Sequence, residues 1–157
     1  LLVYSGLLDG KEVSWLPSYG PEMRGGTCNC SVVISDESIG SPLVTAPDVL
    51  IAMNLPSLDK FEDSVVPGGT ILLDSSLIDR KVTRQDVKVC YVDASRLAEE
   101  NNMKGSANII LVGKMFKELG FCTEESLYKA VDKCVPPKKA ALIEVNKNAL
   151  KLGYSVE

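Results

Sequence analysis

The sequence predicts an α/β domain, a sandwich of helices around a largely parallel sheet. Three observations predict it. The apolar runs D-V-L-I-A-M-N at 48–54 and T-I-L-L-D at 70–74 are unbroken rather than alternating, as strands covered on both faces are. Helical patterns fall between and after such runs. The 157 residues, 45% of them hydrophobic, suffice for one real core, and no linker, repeat or low-complexity stretch divides them.

Each element has a local reason. Residues 1–8 read as the end of a helix, stopped at Asp9-Gly10. Residues 12–16 read as a short strand ended by Pro17. Two Pro and three Gly within P-S-Y-G-P-E-M-R-G-G at 17–26 mark a shaped loop. From 27 to 35, Cys28, Cys30, Val32 and Ile34 alternate with Asn29, Ser31 and Val33, which predicts a strand with one apolar face. On that reading the two thiols share the core side, and C-x-C is packing rather than a metal pair. A helix is expected over 57–65, closed by Pro67-Gly68-Gly69, and further strands over 70–74 and 87–93. Ile109, Ile110, Val112, Met115, Phe116 and Leu119 keep helical spacing, with Gly120 as the stop. Thr123 caps a helix whose first turn holds Glu124 and Glu125. Pro136-Pro137 opens a last helix to Leu152, with Gly153 after it.

Composition excludes several functions. The net charge is −4 and basic residues do not cluster, so no nucleic-acid footprint is present. No apolar run approaches the roughly 20 residues that span a bilayer, and no secretory signal is visible. The five cysteines, an odd number set mostly in apolar stretches, suggest a reduced, cytoplasmic chain. They show neither a C-x-x-C pair nor a ferredoxin-type run. Histidine is absent, which removes Ser-His-Asp and Cys-His nucleophiles and histidine zinc sites. No catalytic residue and no metal ligand is therefore assigned.

Two groups of residues are candidates for binding. The first is Ser18, Tyr19, Gly20, Glu22, Arg24, Gly25 and Gly26. Arg24 offers a planar fork of donors to phosphate or carboxylate, and the glycines after it admit a ligand or a partner backbone closely. A surface loop with a local Glu22–Arg24 pair explains the same residues. The second group lies at predicted strand and helix ends: Asn54, Ser75 in Asp74-Ser75-Ser76, Asp93, and Asn108 after Gly105-Ser106. These are also ordinary cap and turn residues. Gly68-Gly69 precedes a strand, so it is a turn and not a phosphate fingerprint.

The segment W-L-P-S-Y-G-P-E-M-R-G-G-T-C-N-C at 15–30 closely resembles the signature of 2-oxoacid:ferredoxin oxidoreductase gamma subunits. D-V-L-I-A-M-N-L-P-S-L-D-K-F at 48–61, P-G-G-T-I-L-L-D-S-S-L-I at 67–78 and G-S-A-N-I-I-L-V-G at 105–113 follow in the same order. The resemblance implies a three-layer α/β/α sandwich, Rossmann-like, as a single gamma-type domain over 1–157 whose N-terminal strand and Gly-rich turn are missing from this sequence. It implies a non-catalytic subunit of a cytoplasmic enzyme that oxidatively decarboxylates a 2-oxoacid to an acyl-CoA and reduces ferredoxin. Thiamine diphosphate, Mg and iron–sulfur clusters would sit on other subunits, and this chain would assist with coenzyme A. The implied partners are alpha, beta and delta subunits, with ferredoxin reached through the complex; the isolated chain is a candidate homodimer. The unbroken loop motif resembles the 2-oxoglutarate type more than the pyruvate type. A free-standing Rossmann-like nucleotide-binding protein and a purely structural adaptor are the alternatives.

Overall fold

The computed structural model describes residues 1–18 and 28–157. The chain runs α1 (Leu2–Leu8), β1 (Glu12–Ser18), β2 (Asn29–Ser35), β3 (Val49–Ala52), α2 (Leu55–Phe61), β4 (Thr70–Asp74), β5 (Lys88–Val92), α3 (Ala94–Glu100), α4 (Ala107–Leu119), α5 (Glu124–Cys134) and α6 (Ala141–Ser155). Short 3-10 turns occupy Glu62–Ser64 and Pro137–Lys139. Two compact units are distinguished: Leu1–Val44 with Gly120–Ile143, and Thr45–Leu119 with Glu144–Glu157.

In the first unit β1 and β2 form an antiparallel ribbon, with Val13 opposite Ile34, Trp15 opposite Val32 and Pro17 opposite Cys30. Pro17 lies inside β1 rather than ending it, because each strand of a two-stranded ribbon has a free edge where no N–H is needed. Helix α1 packs on the ribbon and on α5. The approach is close at Gly6, where a β-carbon would stand 2.9 Å from both Ile34 Cγ2 and Val13 Cγ1. Asp9 joins the end of α1 to the first turn of α5, accepting from Thr123 N at 2.6 Å, Thr123 Oγ1 at 2.8 Å and the Ser126 hydroxyl. Thr123 is the expected cap, its Oγ1 accepting from Ser126 N at 3.2 Å.

The expectation that Cys28 and Cys30 are core thiols is corrected here, since both are exposed. Cys30 does share a face with Ile34, as the alternation requires, while Cys28 lies just before β2. However, α1 has seven residues and reaches only about 10 Å, whereas a seven-residue strand reaches about 23 Å. The helix covers the Val13–Ile34 end and leaves the thiol end bare.

The second unit holds the parallel sheet, in the order β3-β4-β5. Central β4 is buried at every position, which explains its unbroken apolar run. On one face Ala52, Ile71 and Leu73 pack with Leu58, Val65 and Ile78, flanked by Leu50, Val89 and Tyr91. The other face carries Leu72 and Cys90, and α4 packs on it. There Lys88 reaches Glu118 of α4 at 2.5 Å. Helices thus lie on both faces of the sheet. The second face is backed by α6, which crosses α4 at a pair of glycines: a β-carbon on Gly113 would collide with the Leu150 carbonyl oxygen, and one on Gly153 with that of Ile110. Gly153 is therefore inside α6, holding a close helix contact, rather than the expected stop.

The connection from β4 to β5 contains no helix. The Glu62 carboxylate, 4% exposed, organises it instead, accepting from Arg80 at 2.5 Å, Thr83 N at 2.6 Å and Thr83 Oγ1 at 2.9 Å. Burial alone would raise the pKa of this group; the Arg80 and Thr83 hydrogen bonds outweigh it and hold the carboxyl below its ordinary value.

Candidate functional site

Because β3, β4 and β5 are parallel, their carboxyl ends share one edge of the sheet, the place where open α/β sheets bind ligands. Two of the sequence candidates lie there. Ser75 donates to Asp93 Oδ1 at 2.5 Å, tying the end of β4 to the end of β5. Asn54 turns away from this group and caps its own helix, its Oδ1 accepting from Ser57 N at 2.9 Å.

The centre of the site is Asp74, with no exposed surface. Its carboxylate accepts from Ser76 N at 3.1 Å, Ser95 N at 3.1 Å and Ser95 Oγ at 2.6 Å. The Ser76 bond closes the turn after β4, and the two Ser95 bonds tie it to the first turn of α3. Arg96 pairs with Asp93, and its backbone N donates to Ser76 Oγ at 3.2 Å. Above this network lies a shallow depression of about 470 Å3, lined by Ser76, Leu77, Asp93, Ser95, Arg96 and Glu99.

The lining limits the chemistry. It presents two carboxylates against one guanidinium, and that guanidinium is already paired with Asp93. A pyrophosphate entering here would meet net negative charge. Ser95 Oγ faces Asp74, but no imidazole exists anywhere in the chain to relay a proton from a serine. The arrangement holds two strand ends in register and offers a polar lip with Leu77, 59% exposed, beside it.

Ser95, Arg96 and Glu99 were not among the sequence candidates because α3 was not identified. The signal was present: Asp93 precedes A-S-R-L-A-E-E, good helix formers behind an acidic cap position. Asn108 is the exposed second residue of α4, its Oδ1 accepting from Ile109 N at 3.0 Å, which is a local turn contact. Ser18 is exposed at the end of β1. Tyr19, Gly20, Glu22, Arg24, Gly25 and Gly26 lie outside the described residues. Among the described residues no group of three or more Cys, Asp or Glu is arranged to hold a metal ion, and no helix is long and apolar enough to cross a membrane.

The chain is 40% identical over 154 residues to ketoisovalerate oxidoreductase subunit VorA of Methanothermobacter thermautotrophicus; the match covers 97% of this chain and 31% of that one, so the chain spans about a third of that relative's length. It is 36% identical to 2-oxoglutarate synthase subunit KorC of Methanocaldococcus jannaschii, covering 97% of this chain and 81% of that one. Among solved structures, the keto/oxoacid ferredoxin oxidoreductase gamma subunit of Geobacter sulfurreducens superposes with a TM-score of 0.78 at 30% identity, over 98% of this chain and 85% of that one. Residues 1–156 match the pyruvate ferredoxin/flavodoxin oxidoreductase family, and the chain belongs to that family.

Proposed function

We propose that this chain is the gamma part of a 2-oxoacid:ferredoxin oxidoreductase, assembling with alpha, beta and delta partners and presenting residues 18–26 to coenzyme A or to a neighbouring subunit. The family match over 1–156 carries the reading, and the KorC and gamma-subunit relatives, most of whose length it covers, support the gamma assignment. In such a complex a 2-oxoacid is oxidatively decarboxylated, its acyl group passes to coenzyme A, and the electrons pass to ferredoxin. Thiamine diphosphate with Mg, and iron–sulfur clusters, would supply the decarboxylation and electron-transfer chemistry. Those groups belong on other subunits in this reading.

Coenzyme A is an anion with several phosphates, and it suits Arg24 better than the strand-end depression. Arg24 is followed by two glycines, a residue type that admits a close approach. The depression has an excess of carboxylates, and the exposed Leu77 at its lip fits a subunit contact instead. For the substrate, the unbroken P-S-Y-G-P-E-M-R-G-G favours 2-oxoglutarate, while the 40% identity to VorA favours ketoisovalerate as the second reading.

The test is co-expression with the partner subunits, followed by coenzyme A-dependent ferredoxin reduction with 2-oxoglutarate, ketoisovalerate and pyruvate in turn. Arg24→Ala is expected to raise the KM for coenzyme A with assembly intact, or to weaken assembly if the segment faces a subunit. An Arg24→Ala complex with unchanged assembly and unchanged KM removes the role given to residues 18–26. Failure of the chain to co-purify with any partner removes the whole reading.

A further inference from the structure

We infer that residues 79–86 form a strap over one face of the parallel sheet, held shut by the Glu62 carboxylate and the Tyr91 hydroxyl, and that the strap opens as one unit while the sheet beneath stays folded. The strap lies within the second unit, every residue of it is described, and the inference is independent of the oxoacid chemistry.

The first observation is that both feet of the strap are fixed. Leu77 N and Ile78 N donate to the Asp74 carbonyl oxygen at 3.1 and 3.0 Å, and Ile78 is buried in the apolar cluster on that face. At the other foot Lys88 N, the start of β5, donates to the Gly69 carbonyl oxygen at 2.8 Å.

The second observation is what holds the middle. Among the described residues no backbone carbonyl accepts from an N–H of residues 79–86. Side chains accept instead. Val82 N donates to Tyr91 Oη at 3.0 Å, Thr83 N to Glu62 Oε1 at 2.6 Å, and Arg84 N to that same oxygen at 3.4 Å. The Thr83 hydroxyl and the Arg80 guanidinium donate to the same carboxylate at 2.9 and 2.5 Å. Arg84 also reaches back to the carbonyl oxygens of Glu62 and Val65. Bonds that share one acceptor group support one another and are lost together. The backbone tie of the strap is its Asp86 carbonyl oxygen, which accepts from Gly68 N at 2.6 Å.

The third observation is how little apolar packing adds to these bonds. Val82 packs against the apolar cluster and is only partly buried, while Asp79, Lys81, Thr83, Gln85 and Asp86 are exposed. Arg80 Nε is buried without a hydrogen-bond partner among the described residues, a cost of the closed form that solvent relieves on opening. Segments with few buried apolar contacts open below the free energy of global unfolding. Opening uncovers Tyr91, whose ring carries the Lys81 ammonium at 4.2 Å.

Amide exchange of the full chain, followed residue by residue by NMR, tests this. Gly68, Val82, Thr83 and Arg84 report the strap, and Ile71, Leu72 and Leu73 of β4 report the sheet. The four strap amides are expected to share one protection factor, well below that of β4 and with a shallower dependence on urea. Glu62→Gln is expected to speed all four by a common factor of about ten or more, although Gly68 and Val82 do not touch Glu62. Tyr91→Phe acts from β5 and leaves Glu62 intact, so it decides the matter should the Glu62 variant not fold; it is expected to speed the same four amides by a common factor of about 2–10. A variant that speeds only the amides whose acceptor it alters would overturn the inference, as would strap amides protected as strongly as β4. The measurement needs no oxidoreductase partner, so the strap and the proposed function stand or fall separately.

Discussion

Gly153→Ala tests the helix crossing that backs the sheet. A methyl group at 153 would collide with the Ile110 carbonyl oxygen, and would stand 2.8 Å from that carbonyl carbon and 3.0 Å from Lys114 N. These are backbone atoms, so no rotamer change relieves the overlap. Carbon contacts settle at about 3.5–4.0 Å, so α4 and α6 must separate by about 1 Å. A gap of that size forfeits about a quarter to a half of each dispersion contact along the crossing, where Ile110, Leu111, Ala149 and Leu150 are buried. Overpacking of this kind costs about 1–3 kcal/mol. Against it stands the helix preference for Ala over Gly, about 1 kcal/mol. Because the overlap is with backbone and not with a movable side chain, the cost lies at the upper end of that range, so the expected net loss is about 2 kcal/mol, a fall in Tm of about 4–8 °C for a chain of this size. Urea titration and calorimetry measure it, with Gly40→Ala as the control, because a methyl at 40 enters open space. A Gly153→Ala chain as stable as the parent would refute the claim that the glycine pair sets the crossing.

Further expectations follow from the charges and thiols. Glu118 is held down to about 2 by the Lys114 and Lys88 ammonium groups, from an ordinary 4.5, so its stabilisation is complete above about pH 4.5 and is lost as pH falls towards 2. Lys88 is half exposed and screened, so that contribution is about 1–2 kcal/mol, and Glu118→Gln should flatten acid unfolding over that window. Glu62→Gln should cost about 1–3 kcal/mol in urea and speed amide exchange across 79–87; unchanged exchange there would sink its role as organiser of the β4–β5 connection. A thiol reagent should label Cys28, Cys30 and Cys134 quickly, and Cys90, whose thiol is pushed up by burial, only on unfolding.

Much of the fold was legible because its signals were local. β4 is recognisable from T-I-L-L-D since a strand buried on both faces has no polar positions to interrupt it. Thr123 and Gly120 bound their helices by side-chain capping and by a left-handed φ of 56°, both written in neighbouring residues. Gly153 was misread for a complementary reason. A glycine near a helix end signals a stop when only the local chain is considered, and its actual partner, Ile110, lies 43 residues away in sequence. Cys28 and Cys30 failed in the same way. Alternation correctly gives the face a side chain occupies, but how far a covering helix extends along that face depends on the length of α1, which the strand sequence does not encode.

The candidate site divides along the same line. Ser75 and Asp93 were identifiable as strand-end residues because parallel strands must bring their carboxyl ends to one edge. That Asp74 is the buried centre was not, since its three donors come from the turn after β4 and from α3, and the value of each depends on the others. The network satisfies its own charges almost completely, and this argues against catalysis at that edge more strongly than any missing residue type does. A group that turns over substrate needs a donor or acceptor left for the substrate; Asp74 and Asp93 are occupied by Ser76, Ser95, Ser75 and Arg96. These bonds tie the ends of β4 and β5 to one another and to the start of α3. Ligand binding is proposed instead for the 18–26 segment, which follows ribbon strand β1 in the sequence. On this argument Ser95→Ala, which leaves a buried carboxylate short of a donor, should lower stability by about 1–3 kcal/mol while leaving the KM for coenzyme A unchanged in the assembled enzyme. A selective rise in that KM at unchanged stability would instead return the binding role to the sheet edge.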